Sequence, residues 1–258
     1  MQWQNDFRQT IEQDEAVLGA RATTISPPLI EVYGSIGFDF VWLDFEHSGP
    51  SATDSPVLEN LSRAGEVADI DLLLRLPSGE PNLVRKALDA GIRTLLIPRV
   101  ETATDVRRAV KASRFYYNGG GGERGSASGR SSIWGSPADY PAREDRSVCV
   151  GVMIENQTAL NNIDEILAVP KLGFIFVGPG DLSVSLGHPL KKEHSAVQEA
   201  IETIRTRALE NEVPIGRIAN DPNAARTAIN DGYQVLRVGD EMSATRTVLG
   251  DRLEQITK

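Results

Sequence analysis

The chain has 258 residues, 27 Lys and Arg against 36 Asp and Glu, a formal net charge of −9, and 40% hydrophobic residues. This is too apolar for a disordered chain, and the length suits one barrel-sized unit or two small ones. The acidic balance offers no basic field to nucleic acid or an anionic membrane, and the single cysteine, Cys149, excludes a disulfide framework and a cysteine-based zinc site.

Met1 to Gln13 is polar and acidic, without the apolar stretch of a signal peptide. No run approaches the roughly 18 apolar residues of a spanning helix, so a soluble, cytoplasmic protein is expected. Beyond it, short runs rich in Val, Ile and Leu alternate with segments of helical period. Strands are expected at Val17 to Ala22, Phe38 to Asp44, Asp71 to Arg75, Thr94 to Pro98, Val148 to Glu155, Phe174 to Gly178, Val213 to Ala219 and Val235 to Gly239. Among the helices, Pro81 to Ala90 starts with proline and stops at Gly91, Thr102 to Ser113 opens on a Thr cap, and Asp221 caps a helix from Pro222 to Gly232. Eight βα units favour a (β/α)₈ TIM barrel over an open doubly wound sheet, with residues 1–258 as one domain. The Gly/Ser-rich stretch Tyr117 to Pro137 is the one irregular segment, and is expected to be an insertion serving as a lid or excursion.

In a barrel, active groups sit at the C-terminal ends of strands. Polar groups fall there on four: Asp44, Glu46 and His47 after the second strand, Arg75 ending the third, Glu155 ending the fifth, and Asp181 after the sixth. One charged residue at a strand end can simply mark where the strand meets water, but four on one rim argue for a site. Glu155 and Asp181, on adjacent strands, can aim at one point and form a hard oxygen site suited to Mg²⁺ or Mn²⁺. They can also be two separately solvated acids, or one can pair with Arg75. A glycosidase-type acid/base pair leaves His47 and Arg75 unexplained. Asp44 lies three residues before His47, so its carboxylate can fold onto one imidazole nitrogen and leave the other as a general base.

The turn Gly178-Pro-Gly-Asp-Leu-Ser183 offers backbone N–H groups to a carboxylate, or is an ordinary βα turn. His188 and His194, in the polar stretch Gly187 to Ser195, read as surface residues. Gly120-x-Gly122-x-x-Gly125 matches a dinucleotide fingerprint only in form, since it neither follows a strand directly nor opens a helix. A Schiff-base aldolase needs a desolvated lysine projecting into the barrel. Lys86 and Lys111 fall on expected helices, Lys171 precedes the sixth strand and Lys258 is the last residue, which leaves only Lys191 and Lys192 in a polar loop. Carbonyl chemistry here therefore calls for a metal rather than an iminium.

In order and spacing, Trp42-Leu-Asp-Phe-Glu-His47, Leu74-Arg-Leu-Pro77, Thr94-Leu-Leu-Ile-Pro98, Gly122-Glu-Arg-Gly125, Met153-Ile-Glu155 and Phe176-Val-Gly-Pro-Gly-Asp-Leu-Ser183 resemble the HpcH/HpaI aldolase family. These are class II pyruvate aldolases of the 2-dehydro-3-deoxyglucarate and 4-hydroxy-2-oxoheptanedioate type. The resemblance spans nearly the whole chain and implies a barrel of the pyruvate/phosphoenolpyruvate-binding type, commonly hexameric, using Mg²⁺, Mn²⁺ or Co²⁺. It implies Glu155 and Asp181 as metal ligands, Arg75 beside the pyruvate oxygen, His47 with Asp44 as the base dyad, and backbone N–H groups at Gly180 and Asp181 for the pyruvate carboxylate. Asp89 matches an acidic position that can reach a neighbouring subunit's site.

The chain departs from the family's pattern at Gly19-Ala20-Arg21, where an aromatic residue is frequent, at Met153, where a Gln often stands, and at Tyr116-Tyr117-Asn118 before four glycines. These changes spare the metal and enolate machinery and leave the acceptor aldehyde open, with Arg21 a candidate for a distal carboxylate or hydroxyl. The activity implied is reversible retro-aldol cleavage of a 4-hydroxy-2-oxo acid to pyruvate and an aldehyde. An oxaloacetate-type decarboxylase using the same enolate site, and a catalytically silent barrel that binds, are the alternatives.

Overall fold

The computed structural model describes residues 5–116, 121–125, 130 and 139–257; most of the Tyr117 to Pro137 stretch, with Gly120, lies outside them. The elements run α1 (Asp6–Glu12), β1 (Val17–Ala22), α2 (Pro27–Ile36), β2 (Phe40–Asp44), α3 (Ser55–Ala68), β3 (Asp71–Arg75), α4 (Pro81–Asp89) and β4 (Thr94–Ile97). They continue with α5 (Ala103–Ser113), α6 (Tyr140–Ser147), β5 (Cys149–Ile154), α7 (Gln157–Asn161), α8 (Ile163–Leu167), β6 (Phe174–Val177) and α9 (Pro179–Ser185). The last five are α10 (Ser195–Glu210), β7 (Ile215–Ile218), α11 (Pro222–Asn230), β8 (Val235–Asp240) and α12 (Glu241–Thr257).

All eight strands pair in parallel and close in the order β1 to β8, with β8 returning to β1, which is the expected (β/α)₈ barrel. Strand ends differ from the sequence expectation by up to two residues, most at the N-terminal ends of β2 and β7. Local chemistry sets the helices. Thr102 and Asp105 form a reciprocal capping box on α5, Asp221 caps α11 through the Asn223 and Ala224 N–H groups, and proline occupies the first turn of α2, α3, α4, α9 and α11. Among the described residues no helix is long and apolar enough to cross a membrane.

Two apolar layers follow from the period of two along each strand. Leu43, Leu74, Leu95, Val152 and Leu236 pack outward against the helices, while Phe40, Trp42, Leu73, Leu96, Phe174, Phe176 and Val235 fill the barrel interior. The large rings fit because glycine faces them: a Cβ on Gly151 would come within 2.2 Å of the Phe174 ring, and one on Gly216 within 2.5 Å of Phe176. Helix α1, not evident from sequence, closes the N-terminal end. Its Phe7 sits edge-on to Phe40 at 5.2 Å, the Phe7 N–H donates to Asp71 at 2.6 Å, and Asn5 donates to Thr94 Oγ1 and the Ser147 carbonyl. The C-terminal mouth is thus the open end. Helix α12 differs from the other long helices in burying no residue, and it exposes Met242, Leu249, Leu253 and Ile256.

Candidate functional site

The inner rows of side chains end, at the mouth, in charge. Following Trp42, Leu73, Met153 and Val235, the next inward positions are Asp44, Arg75, Glu155 and Arg237, and on β1 the row Val17, Gly19 ends in Arg21. Asp44 is fully buried and receives Arg75 through two bonds, Nε to Oδ1 at 3.0 Å and Nη2 to Oδ2 at 2.6 Å. Arg21 Nη2 adds a third contact at 3.0 Å, and the backbone N–H groups of Glu46 and His47 donate to Oδ1. Burial alone pushes Asp44 up, but the Arg75 guanidinium outweighs it and holds the carboxyl below the usual range. Arg75 also lies 5.7 Å above the Trp42 ring and points Nη1 at Met153 Sδ, 3.7 Å away, and at Glu46 Oε2, 2.9 Å away. The Glu46 contact is ionic, without an aligned N–H···O bond.

Glu155 stands at the end of β5 with its side chain buried. Its Oε1 accepts the Arg99 backbone N–H at 2.7 Å, and its Oε2 is buried with no hydrogen-bond partner. Burial, together with the charges of Glu46 and Asp181, pushes Glu155 up to about 7 despite the Arg99 bond. Asp181 lies exposed in the first turn of α9, where the N–H groups of Gly180 and Asp181 have no helical carbonyl to receive them. Gly178 lets that turn approach: a Cβ there would fall 2.7 Å from both Cβ and Oε2 of Glu155. An unpaired, buried carboxylate oxygen beside a second carboxylate fits a divalent cation of the Mg²⁺ or Mn²⁺ kind. Among the described residues no group of three His, Cys, Asp or Glu could surround a metal, so the protein offers two carboxylates and leaves the remaining positions to water and substrate.

The sequence profile of the HpcH/HpaI aldolase/citrate lyase family matches residues 22–246. The chain belongs to this family. Similar members include a 2-keto-3-deoxy-L-rhamnonate aldolase of Escherichia coli O17:K52:H18, 32% identical over 249 residues, covering 96% of this chain and 92% of the relative. A 5-keto-4-deoxy-D-glucarate aldolase of Salmonella paratyphi A is 32% identical over 242 residues, covering 94% and 93%. The crystal structure of an HpcH/HpaI aldolase/citrate lyase family protein from Burkholderia cenocepacia J2315 superposes with a TM-score of 0.91 at 30% identity, covering 98% of this chain and all of that one. With membership in the HpcH/HpaI family comes lyase chemistry of the aldolase type.

Within this HpcH/HpaI barrel, Asp44, Arg75, Glu155 and Arg21 meet at the mouth as the sequence suggested. The Asp44–His47 dyad does not form. Asp44 reaches only the His47 backbone N–H, because two guanidinium groups from β1 and β3 take its carboxylate oxygens. The His47 imidazole is exposed and lies 3.4 Å from Glu46 Oε2 instead. Asp89 pairs within its own chain, with Arg124 Nη2 at 3.3 Å, and Arg124 in turn binds Glu144, which also holds Arg93. The Gly122 to Gly125 element thus has a structural role, packed against the end of α5 through the Arg124 N–H to Arg114 carbonyl bond. No described lysine is buried, which leaves no desolvated amine for a Schiff base.

Three contributors escaped the sequence reading. Arg99 supplies a backbone N–H from a left-handed conformation, φ 55°, and reaches Glu46 Oε1 with its side chain at 3.2 Å. Glu46, noted only as a rim acid, links Arg75, Arg99 and His47. Arg237 ends the inner row of β8.

Proposed function

We propose that the protein is a divalent-metal-dependent class II pyruvate aldolase that reversibly cleaves a 4-hydroxy-2-oxo acid, of the 2-keto-3-deoxy sugar acid or related diacid class, to pyruvate and an aldehyde. The observation that carries the reading is the buried Glu155 carboxylate with its unpaired Oε2, near Asp181 and within the field of Arg75, two strands away. The keto-deoxy acid substrates in the names of the two relatives support the substrate class.

Glu155 and Asp181 would hold the ion, Mg²⁺, Mn²⁺ or Co²⁺ by ligand chemistry. When bound, it would supply Lewis-acid polarisation of the substrate's carboxylate and keto oxygens. The first-turn N–H groups at Gly180 and Asp181 receive the pyruvate carboxylate. Arg75, locked by Asp44, places a fixed positive charge where the enolate oxygen develops. His47, directly or through a water, takes the proton of the C4 hydroxyl. The C3–C4 bond then breaks, its electron pair stays on C3 as the enolate, and C4 leaves as the aldehyde; a proton returned to C3 gives pyruvate. Asp44 acts here as the residue that positions Arg75, and Glu46 as the carboxylate beside the imidazole.

A cytoplasmic, homo-oligomeric protein, hexameric by family resemblance, completes the reading, and the apolar residues exposed along α12 support association with further copies. The test is a panel of 2-keto-3-deoxy sugar acids, 4-hydroxy-2-oxo diacids and oxaloacetate with Mg²⁺ or Mn²⁺, in which pyruvate, aldehyde and CO₂ are measured separately. Equal amounts of both support the aldolase. Pyruvate without aldehyde, with CO₂ released from oxaloacetate, makes it a decarboxylase, and no turnover with any substrate leaves a binding barrel.

A further inference from the structure

Arg237 is the least accounted-for charge in the barrel. It projects inward from β8, since Val235 lines the interior and Leu236 and Val238 pack outward. Its side chain makes no hydrogen bond or ion pair with any described residue, and its Nε is buried without a partner. Asp240 is near enough to feel its charge but spends its oxygens on the Ser243 N–H and hydroxyl. Burial, and then the neighbouring Arg21 guanidinium, push Arg237 below the ordinary arginine range. Arg21, on the adjacent strand, likewise has a buried Nε without a partner.

The backbone is irregular at this place. Gly19 pairs with Arg237 but Arg21 pairs with Asp240, so β8 carries one extra residue between them. Such bulges re-aim side chains and gather beside active sites. The mouth is consequently polarised: Glu155 and Asp181 make the β5 and β6 side anionic, while Arg237 and Arg21 make the opposite β8 and β1 side cationic, with Asp44 alone shared between Arg21 and Arg75. An unpaired, half-buried guanidinium is costly unless a ligand completes it.

We propose that Arg237, with Arg21 beside it, forms a second anion subsite at the mouth, and that the aldehyde half of the substrate carries a carboxylate or phosphate bound there. This rests on the aldolase reading, with the pyruvate half held on the β5 and β6 side.

The experiment compares pyruvate addition to glyoxylate, glyceraldehyde 3-phosphate and uncharged glyceraldehyde, using wild type, Arg237→Gln and Arg237→Lys. A hydrogen bond to a charged group is lost in Arg237→Gln, so the ratio of kcat/KM for the charged aldehyde to that for glyceraldehyde should fall about 10- to 100-fold. Arg237→Lys, which keeps the cation and loses the fork, should lie between, and it carries the test if the Gln variant does not fold. The charged aldehyde whose ratio falls further identifies carboxylate or phosphate as the group bound. An unchanged ratio, or an equal loss with all three aldehydes, overturns the proposal. A parallel calorimetric titration of succinate and inorganic phosphate into the chelated protein involves no turnover. If no aldehyde condenses but anion affinity still falls in Arg237→Gln, the aldolase reading fails and the subsite stands. If condensation proceeds while the ratio and anion affinity ignore Arg237, the subsite alone fails.

Discussion

Arg75 holds Asp44 with a two-pronged grip, 3.0 Å and 2.6 Å, on a carboxylate fully removed from water. The pair joins β2 to β3 at the mouth and leaves one guanidinium nitrogen facing the Met153 sulfur and Glu46. Removing one member of a buried pair strands the other charge, at a cost of about 3–5 kcal/mol. Asp44→Asn should therefore lower the melting temperature as well as kcat. Arg75→Lys, which keeps the charge and loses the fork, should reduce kcat/KM about 100-fold with a smaller loss of stability. Thermal melts and cleavage rates on the same preparations check both.

Glu155 carries the pH dependence. In the metal-free protein its carboxyl is raised from 4.5 to about 7, chiefly by burial. The folded state therefore binds a proton more tightly than the unfolded chain. The resulting stabilisation is complete below about pH 4.5 and is lost as the pH climbs through 7. Glu155→Gln stays neutral, so in chelator it should melt above wild type at pH 8, with the difference vanishing near pH 4. The same variant should no longer respond to Mn²⁺.

Gly178 sets the approach of the α9 turn to Glu155. A methyl group there would press on Glu155 Cβ and Oε2, each 2.7 Å away. Gly178→Ala should cost about 1–3 kcal/mol in overpacking and weaken metal activation disproportionately. Metal titrations of cleavage alongside thermal melts separate the two effects.

His47 is exposed, so its loss should leave stability within about 0.5 kcal/mol of wild type. On the proposed mechanism, in which it takes the C4 hydroxyl proton, its loss should lower kcat about 100- to 10,000-fold. Rates for His47→Ala, with and without added imidazole, provide the check.

Much of this barrel is legible in the sequence, because each strand is a short run rich in Val, Ile, Leu or Phe bounded by Gly, Pro or charge. The rim residues followed from strand ends alone. What escaped has physical reasons. A spacing of three put Asp44 within reach of His47, but it could not rank the imidazole against a guanidinium arriving from the next strand. Arg99 acts partly through its main chain, which leaves no side-chain signature. Arg237 sits inside an apolar run whose inward phase and bulge become visible only when β8 is paired to β1. Helix α1, at seven residues, is too short for its period to show, and it is held by Phe7 and Asn5 contacts distant in sequence.

On the proposed mechanism Glu155 and Asp181 together hold a divalent ion required for cleavage. Mn²⁺ titration followed by electron paramagnetic resonance, with cleavage rates on the same samples, reads both binding and function. One ion bound per chain, weakened in both Glu155→Gln and Asp181→Asn, with cleavage abolished by chelator and restored in step with Mn²⁺ occupancy, is the expected result. Full cleavage in chelator, or Mn²⁺ binding indifferent to both substitutions, would contradict it.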